Sequence, residues 1–496
     1  MLIGSRILTI LLLLCGSLVL FRLRSRSNSP PVRLEAAGQS NQGGCSGRLT
    51  RLIDLDLKFP IKYARRDIII KANPDLDRTS LTQIDAALLS DVQIVDPVKS
   101  PDSGLEQCSS PLTLEVPAFP RQPANASHII FGISTYIERM EDSMPHLQRS
   151  LGHTNARLIV LAVEFGEVTP DSKEMAALET RMRGLGIKAT VIGAPNNSLM
   201  QTRYFSLVKV LYEKRDSATQ WISLLDDDTF LPSMYSLVDT LGAYDSSKEW
   251  YLGAMSEDWW SVMVYGMMSF GGGGTFLSIP TAAQINANYD TCTKESTANQ
   301  GDIRVFECIT AHTTTKLQPV TGLHQTDLGG DLSGFYESGR LPLSVHHWKT
   351  GWHFEQKPEQ RALNTYPMAK MHLVSDVCGN CFLQRWQFGS NTILSNGFSI
   401  STYPNQNILA ELVRNKEIDK MEDTFMPTRE VNSFMKGYEH SIGPLRPRAE
   451  GKIQYKLLDA KAEENGGVRQ YYVYRALDKE PDIVYEIFWT GNETQV

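Results

Sequence analysis

Residues 221–230 read Trp-Ile-Ser-Leu-Leu-Asp-Asp-Asp-Thr-Phe. The mostly apolar start predicts a short buried strand, and three carboxylates follow directly after its end. Adjacent carboxylates repel one another unless they are exposed or neutralised by a cation. Because ligands in parallel sheets bind beyond the carboxyl ends of the strands, we expect Asp226 and Asp228 to hold Mn²⁺ or Mg²⁺, with substrate phosphates as further ligands. The alternative is a solvated acidic turn.

The sequence before this stretch alternates between apolar strands and amphipathic helices. Such alternation predicts βαβ units in a parallel-sheet, Rossmann-like α/β domain, which we place at residues 126–355. The predicted strands cover residues 128–134, 157–163, 188–192 and 221–225, and the predicted helices cover residues 138–151, 172–185 and 203–214.

The regions on either side of this domain have a different amino-acid composition. Residues 24–125 are expected to form a stem and neck. The stem, up to about residue 47, is too polar to bury a core, and prolines interrupt the neck, which we expect to be extended, partly ordered and packed on the next domain. Residues 356–496 carry aromatic and β-branched runs between turn residues, which predicts a β-rich C-terminal module.

The N-terminus contains an apolar run, residues 7–21, without charge or proline. We interpret residues 7–23 as a transmembrane signal anchor after a cytosolic tail of residues 1–6; a cleaved signal peptide is the alternative. Arg22, Arg24 and Arg26 follow the run. By the positive-inside rule, they oppose a lumenal orientation of the rest of the chain.

Cysteines and glycosylation sequons favour the lumenal side. Outside the apolar run lies an even number of cysteines, compatible with disulfides in an oxidising compartment. For the Cys378-Gly-Asn-Cys381 pair we expect a structural role, because no second such pair accompanies it. The cysteines are Cys45, Cys108, Cys292, Cys308, Cys378 and Cys381, and the sequons begin at Asn125, Asn196 and Asn492. A net charge of -7 argues against a nucleic-acid partner.

Three segments resemble the Fringe-like β-1,3-glycosyltransferases, most closely their fungal-type branch. They are the strand with its acidic triplet at 221–230, the glycine-rich segment Phe270-Gly-Gly-Gly-Gly-Thr-Phe-Leu-Ser278, and Gly301-Asp-Ile-Arg-Val-Phe-Glu-Cys308. The resemblance covers roughly residues 128–350. It implies a GT-A fold, a UDP-sugar donor, a divalent metal, inversion at the anomeric carbon and a glycan or glycoprotein acceptor. With the anchor, it suggests a single-pass type II protein of the Golgi membrane.

The third segment supplies the catalytic base that the resemblance implies. Asp302 would accept the proton of the acceptor hydroxyl as that hydroxyl attacks the sugar. The alternative is a helix N-cap after Gly301, where Asp is favoured. The family usually carries an acidic doublet here, but Gly301 occupies its first position.

The family's metal site usually includes a histidine, and the sequence offers two places for it. Leu343-Ser-Val-His346-His347-Trp348 resembles the histidine strand of core-1 type galactosyltransferases and favours His346, with His347 as an alternative. His324 resembles the position used in Fringe itself. A structural role for all three histidines is the remaining alternative.

Further residues are expected to contact the donor or the acceptor. Trp259 and Trp260 are candidates for stacking on an acceptor sugar, or are ordinary core residues. The glycine-rich segment allows backbone to approach a ligand closely; its alternative is a flexible loop. The expected donor-binding set is Ser134, Thr135, Arg139, Asp226, Asp227, Gly272, Gly273 and Gly274.

Three other functions are alternatives at this point. A retaining or differently linked transferase would share the acidic triplet. A lumenal carbohydrate-binding protein on a degenerate transferase scaffold would not need Asp226, Asp228 and Asp302 together. A cation-binding adhesion protein would need several oxygen-ligand loops, and the sequence shows one. The sequence does not distinguish UDP-galactose, UDP-glucose and UDP-N-acetylglucosamine as donors.

Overall fold

The computed structural model describes residues 49–89, 92–100, 109–120, 122–348, 367–426, 441–476 and 480–491. The expected cytosolic tail and anchor, Cys45, Cys108 and the sequon at Asn492 lie outside the described residues. Among the residues that are described, no helix has both the length and the apolar character needed to cross a membrane.

The strands fall into two large sheets and two short pairs. In chain order they are β1 (Ile61–Asn73), β2 (Thr82–Ile84), β3 (Gln93–Val95), β4 (Leu112–Pro117), β5 (Ile129–Tyr136), β6 (Arg157–Val163), β7 (Lys188–Gly193), β8 (Trp221–Leu224), β9 (Tyr251–Gly253), β10 (Thr275–Ser278), β11 (Leu317–Pro319), β12 (Gly329–Gly330), β13 (Arg385–Phe388), β14 (Thr392–Ser395), β15 (Ser399–Thr402), β16 (Met421–Asp423), β17 (Phe425–Met426), β18 (Leu445–Pro447), β19 (Ile453–Ala462), β20 (Val468–Tyr474) and β21 (Ile483–Gly491).

The helices concentrate between β5 and β13. They are α1 (Ile137–Leu151), α2 (Ser172–Gly184), α3 (Met200–Glu213), α4 (Met234–Gly242), α5 (Trp259–Tyr265), α6 (Ile279–Ala287), α7 (Tyr289–Glu295), α8 (Gly301–His312), α9 (Ser333–Tyr336), α10 (Met368–Met371), α11 (Ser375–Cys378) and α12 (Gln406–Arg414). Short 3₁₀ turns occupy Leu49–Asp54, Gly271–Gly273, His372–Val374 and Glu417–Asp419.

The first large sheet has the order β11-β9-β10-β8-β5-β6-β7. Strands β8, β5, β6 and β7 are parallel, whereas β10 runs antiparallel to β8 and β9. The predicted alternation of strands and helices is therefore confirmed, and the domain is mixed α/β. The order places the ends of β8 and β5 side by side, so residues that follow these two strands meet at one edge.

Both faces of this sheet are buried, which explains its nearly continuous apolar strands. Successive side chains of a strand point to opposite faces. Accordingly, Phe131 packs on one side with residues of α1, α2 and α4, such as Leu147. Ile130 packs on the other side with residues of α3, α6 and α8, such as Leu207. The result is a three-layer α/β/α arrangement that holds the sheet's edge in a fixed position.

The second large sheet has the order β2-β13-β14-β15-β19-β20-β21-β1-β3, and β4 also pairs with β1. Part of the expected neck lies in this sheet, because β1 pairs with β21 through residues 62–70. Pro74 and Pro97 stand in turns and Pro117 ends β4, while β1 largely alternates buried and less buried residues. The β-rich module thus combines both ends of the chain.

Two disulfides close local segments of the described chain. Cys292 pairs with Cys308, which ties α7 to α8. Cys378 pairs with Cys381 and is buried in the core of the second sheet, in agreement with a structural role. The sequon asparagines Asn125 and Asn196 are exposed.

Candidate active site

The acidic triplet lies at the carboxyl end of β8, where the sequence places it. Asp226 is half-buried, whereas Asp227 and Asp228 are buried. Thr229 closes the turn: its hydroxyl accepts a hydrogen bond from the backbone N–H of Asp226 at 3.1 Å and donates one to the Gly272 carbonyl at 2.8 Å. The triplet is therefore a fixed turn packed against the glycine-rich segment, and the solvated-turn alternative does not describe it.

A pair of backbone hydrogen bonds brings the histidines to the triplet. Phe230 and Val345 exchange N–H···O bonds of 2.8 and 2.9 Å. This places His346 Nε2 3.3 Å from Asp226 Oδ2 and 3.1 Å from Asp228 Oδ1. Two ligands at right angles on a metal about 2.1 Å away are themselves about 3 Å apart, so the spacing of His346 from either carboxylate fits a shared divalent cation. Asp226 is not in the group of donor atoms that all lie within 4.8 Å of one another.

The charge balance of this cluster also suits a cation. Burial disfavours the ionised form of Asp228, but His346, His347 and Arg139 more than offset it and hold its pKa below the usual range. Conversely, burial disfavours protonated His346, yet Asp228 and Asp226 raise its pKa well above the ordinary value. The two carboxylates thus attract positive charge to the position between them.

His347 joins the same cluster. Donor atoms of Asp228, His346 and His347 lie within 4.8 Å of one another. The rings of His346 and His347 are tilted by 39° relative to each other, with their centroids 3.8 Å apart. The expected single histidine therefore has a neighbour in a position to contribute.

His324 lies elsewhere. Its Nδ1 is 3.1 Å from the buried carboxylate of Glu257, and its ring meets Phe335 edge to face. It is not part of the group formed by Asp228, His346 and His347. The position that resembles Fringe itself thus carries a core histidine here.

Asp227 organises the residues expected to contact the donor. The Arg139 guanidinium makes a bidentate pair with it, with Nε and Nη2 donating over 2.7 and 2.6 Å, and the Thr135 hydroxyl donates to the same carboxylate. Half of the Arg139 side chain stays exposed, and its hydrogen bond to Asp227 raises its pKa. The Ser134 hydroxyl makes no hydrogen bond within the described residues. Arg139 therefore presents a fixed positive charge beside the triplet, and Thr135 acts by holding Asp227.

A cavity of about 680 Å³ opens beside Arg139. It lies at the carboxyl ends of β5 and β6, between α1 and α2, and Phe165 stands at its edge almost fully exposed. Ligands of open α/β sheets bind in such crevices.

The glycine-rich segment is a packed 3₁₀ turn rather than a flexible loop. A Cβ on Gly272 would stand 2.1 Å from the His346 ring, so only glycine lets the imidazole reach the carboxylates. The Gly273 N–H donates to Gln325 Oε1 at 2.7 Å, and its carbonyl accepts from the Ser344 hydroxyl at 2.6 Å. Gly274 has a φ of 94°, which favours glycine. The segment serves to seat His346.

Asp302 lies in the first turn of α8, but the N-cap position belongs to Gln300. Its Oδ2 accepts a hydrogen bond from the Gly271 N–H at 3.1 Å, and Oδ1 accepts one from the Ile303 N–H at 2.9 Å. Burial, with the charge of Asp226, raises the pKa of Asp302 to about 6. A carboxylate with such a pKa can both ionise and accept a proton near neutrality.

Trp259 and Trp260 begin α5, and their rings meet edge to face. Trp260 is exposed, whereas the indole nitrogen of Trp259 is buried without a hydrogen-bond partner in the described chain. Trp260 is thus the more exposed of the two.

Sequence reasoning did not single out several residues that support the site. Tyr204 packs against Gly271 and Gly301, and Gln325, Asp327 and Glu257 surround the histidines. The only available signal was the stretch from His324 to Asp327, where two polar residues precede a carboxylate inside an otherwise apolar region.

Comparisons with known proteins identify similar chains at low identity. Residues 261–482 match a family model described as a protein of unknown function, DUF604, over less than half of the chain. No curated protein matches.

Similar solved structures include three glycosyltransferases. The glycosyltransferase GlyE of Streptococcus pneumoniae TIGR4 is 12% identical, with a TM-score of 0.31, over 62% of this chain and 66% of that one. The galactosyltransferase LgtC, in complex with donor and acceptor sugar analogues, is 12% identical, with a TM-score of 0.28, over 48% and 85%. The mannosyltransferase PcManGT of Pyrobaculum calidifontis, in complex with GDP-Man and Mn²⁺, is 8% identical, with a TM-score of 0.26, over 40% and 58%. Similarity at this level carries no argument about the activity of this chain.

Proposed function

We propose that this protein is a metal-dependent, inverting GT-A glycosyltransferase. It would move a hexose or N-acetylhexosamine from a UDP-sugar to a hydroxyl of a glycan or glycoprotein acceptor, in a β-1,3 linkage as the Fringe-like resemblance suggests. The observation that carries the proposal is that His346, beside Asp226 and Asp228, and Asp302 contact adjacent residues of the glycine-rich segment, Gly272 and Gly271.

Asp226, Asp228 and His346 would hold Mn²⁺ or Mg²⁺. When bound, such a cation stabilises the negative charge that develops on the departing diphosphate. Arg139, fixed by Asp227, adds positive charge on the same side. The cavity beside Arg139 would take the nucleotide, because it opens at the carboxyl ends of β5 and β6.

Asp302 would act as the general base. As its carboxylate accepts the proton of the acceptor hydroxyl, the hydroxyl oxygen forms the new bond to the anomeric carbon and the bond from that carbon to the UDP oxygen breaks. The hydrogen bond from Gly271 fixes Oδ2, which orients the carboxylate before the acceptor arrives. Attack on the face opposite the leaving group inverts the anomeric configuration.

The proposed location is the Golgi lumen, with the chain anchored as a single-pass type II membrane protein. The exposed sequon asparagines and the two disulfides are compatible with an oxidising lumen. Protease protection of the tagged C-terminus in intact microsomes, with a shift in mass after glycosidase treatment, would support this location. Digestion without detergent would contradict it.

The test of the activity is UDP release by the purified full-length protein from a panel of UDP-sugars and glycan acceptors. Parallel reactions contain Mn²⁺ or EDTA, and the variants are Asp228→Ala and the exposed control Asp245→Ala. Metal-dependent release that is lost only in Asp228→Ala supports the proposal, and the proton NMR spectrum of the product reports inversion. Release that is insensitive to EDTA contradicts it. Metal-dependent UDP binding without release over the whole panel favours a carbohydrate-binding protein.

A further inference from the structure

The segment from Gln325 to Asp327 contacts both histidines of the cluster. His346 Nδ1 lies 3.2 Å from the Gln325 carbonyl, and His347 Nε2 lies 3.2 Å from Asp327 Oδ1. A carbonyl can only accept, so His346 donates through Nδ1, and in the neutral ring that binds a cation the lone pair is on Nε2, on the side of Asp226 and Asp228. Each histidine therefore has one ring nitrogen that faces an oxygen atom of this segment.

The Asp327 oxygen that faces His347, Oδ1, makes no hydrogen bond within the described residues. The Asp327 carboxyl is buried, and its second oxygen, Oδ2, accepts a hydrogen bond from the Ser256 hydroxyl. Its backbone N–H is held by Glu257 Oε2 at 3.2 Å. A buried carboxylate is costly unless it is paired, so this one, fixed at two points, favours a proton on the facing nitrogen of His347.

His347 adopts a backbone conformation that non-glycine residues rarely adopt, with a φ of 54°. Such conformations persist where the surroundings impose them and cluster at functional sites. Here it brings a second ring beside His346, within the group that also contains Asp228.

We infer that His347 is a second histidine ligand of the metal and that Asp327 is the residue that positions it. With Nε2 protonated and facing Asp327, the lone pair of His347 is on Nδ1, and a ring nitrogen of His347 lies within 4.8 Å of the donor atoms of Asp228 and His346. A histidine that binds a metal with one nitrogen while donating to a carboxylate with the other is a common arrangement in metal sites. The inference rests on the proposed function, because it concerns the same metal.

The experiment measures Mn²⁺ affinity directly, by calorimetric titration of Mn²⁺ into the full-length protein with UDP present. Asp327→Asn keeps the size of the side chain but removes its charge, and His347→Gln removes the ligand. The matched control is His324→Gln, which alters another histidine that faces a buried carboxylate outside the cluster. Circular dichroism melts accompany every titration.

We expect Asp327→Asn to weaken Mn²⁺ binding about 10- to 100-fold, as loss of an outer-shell partner does. His347→Gln should weaken it at least as much, and the double variant should lose little more than His347→Gln alone, because Asp327 acts through that ring. Spin-echo EPR of the bound Mn²⁺ should show nitrogen coupling from two imidazoles in the wild type and one in His347→Gln. His324→Gln should bind like the wild type.

Two results would overturn the inference. The first is Mn²⁺ affinity within about twofold of the wild type in His347→Gln, whose side chain is partly exposed and therefore tolerates substitution. The second is additive losses in the double variant, which would give Asp327 a role independent of His347. The variant Asp228→Asn distinguishes failure of this inference from failure of the proposed function. If the wild type binds no Mn²⁺, the inference and the proposed function both fail. If Asp228→Asn loses Mn²⁺ binding but His347→Gln and Asp327→Asn do not, only the inference fails.

Discussion

The backbone N–H of Gly271 donates a hydrogen bond to Oδ2 of Asp302 across 3.1 Å. The neighbouring Gly272 is the residue whose missing side chain admits the His346 ring. One turn of 3₁₀ helix therefore fixes the proposed base through one glycine and the proposed metal ligand through the next. Changes in this turn should affect both functions together, whereas changes in Asp302 should affect only proton transfer.

Asp302→Asn should lower the turnover number about 10²- to 10⁴-fold, because the amide cannot accept the acceptor proton. UDP affinity in the presence of Mn²⁺ should not change. Steady-state UDP release and calorimetric UDP binding measure the two effects. Asp290→Asn, an exposed change in the first turn of α7, is the control. Turnover within a few-fold of the wild type would contradict the role of Asp302 and the inverting mechanism with it.

The pKa of Asp302 predicts opposite effects of pH on activity and on stability. Its pKa is raised to about 6, so activity should rise as pH increases through 6, where the carboxylate forms. Between about pH 4 and 6, the folded protein holds a proton that the unfolded chain has released, so this group's contribution to stability falls as pH rises. The melting temperature of Asp302→Asn minus that of the wild type should therefore increase as pH rises from 4 to 7. A difference independent of pH would contradict the raised pKa.

Gly272→Ala should weaken Mn²⁺ binding and destabilise the fold by about 1–3 kcal/mol, because the new Cβ would stand 2.1 Å from the His346 ring. Urea unfolding and Mn²⁺ calorimetry measure the two effects. Gly242→Ala is the control, since a Cβ there meets no atom within 4 Å. Unchanged Mn²⁺ affinity in Gly272→Ala would show that His346 does not need its present position.

Gly301→Glu would restore the acidic doublet of the Fringe-like enzymes, yet we expect it to lower activity. A Cβ at this position would lie 2.3 Å from the Cβ of Tyr204, which is anchored on α3, so α8 and Asp302 must move. Overpacking of this kind costs about 1–3 kcal/mol. UDP release and thermal melts test the variant, with Gly184→Glu as a control at an open position. Higher turnover in Gly301→Glu would show that the site accommodates a second carboxylate.

Much of the first sheet could be predicted because its signals are local. Short windows of sequence show the apolar runs of β6 and β8 and the helical spacing of α1. The acidic triplet directly follows β8, so the position of that strand also gives the position of the triplet. The prolines of the neck predicted an extended, partly ordered segment packed on the next domain, and they gave no sign of a long strand within it. Whether β1 joins a sheet depends on β21, which no local window contains.

By itself, the sequence determined the order of strands and helices from β5 to β8 and the position of Asp226 and Asp228 at a strand end. It left three histidines as candidates for the metal, and only the tertiary structure separated them. The pairing of Phe230 with Val345 carries His346 to Asp228, while Glu257 holds His324 away from the cluster. Side-chain periodicity is a local property of the chain, whereas contacts between distant segments depend on how buried surfaces and polar groups complement one another.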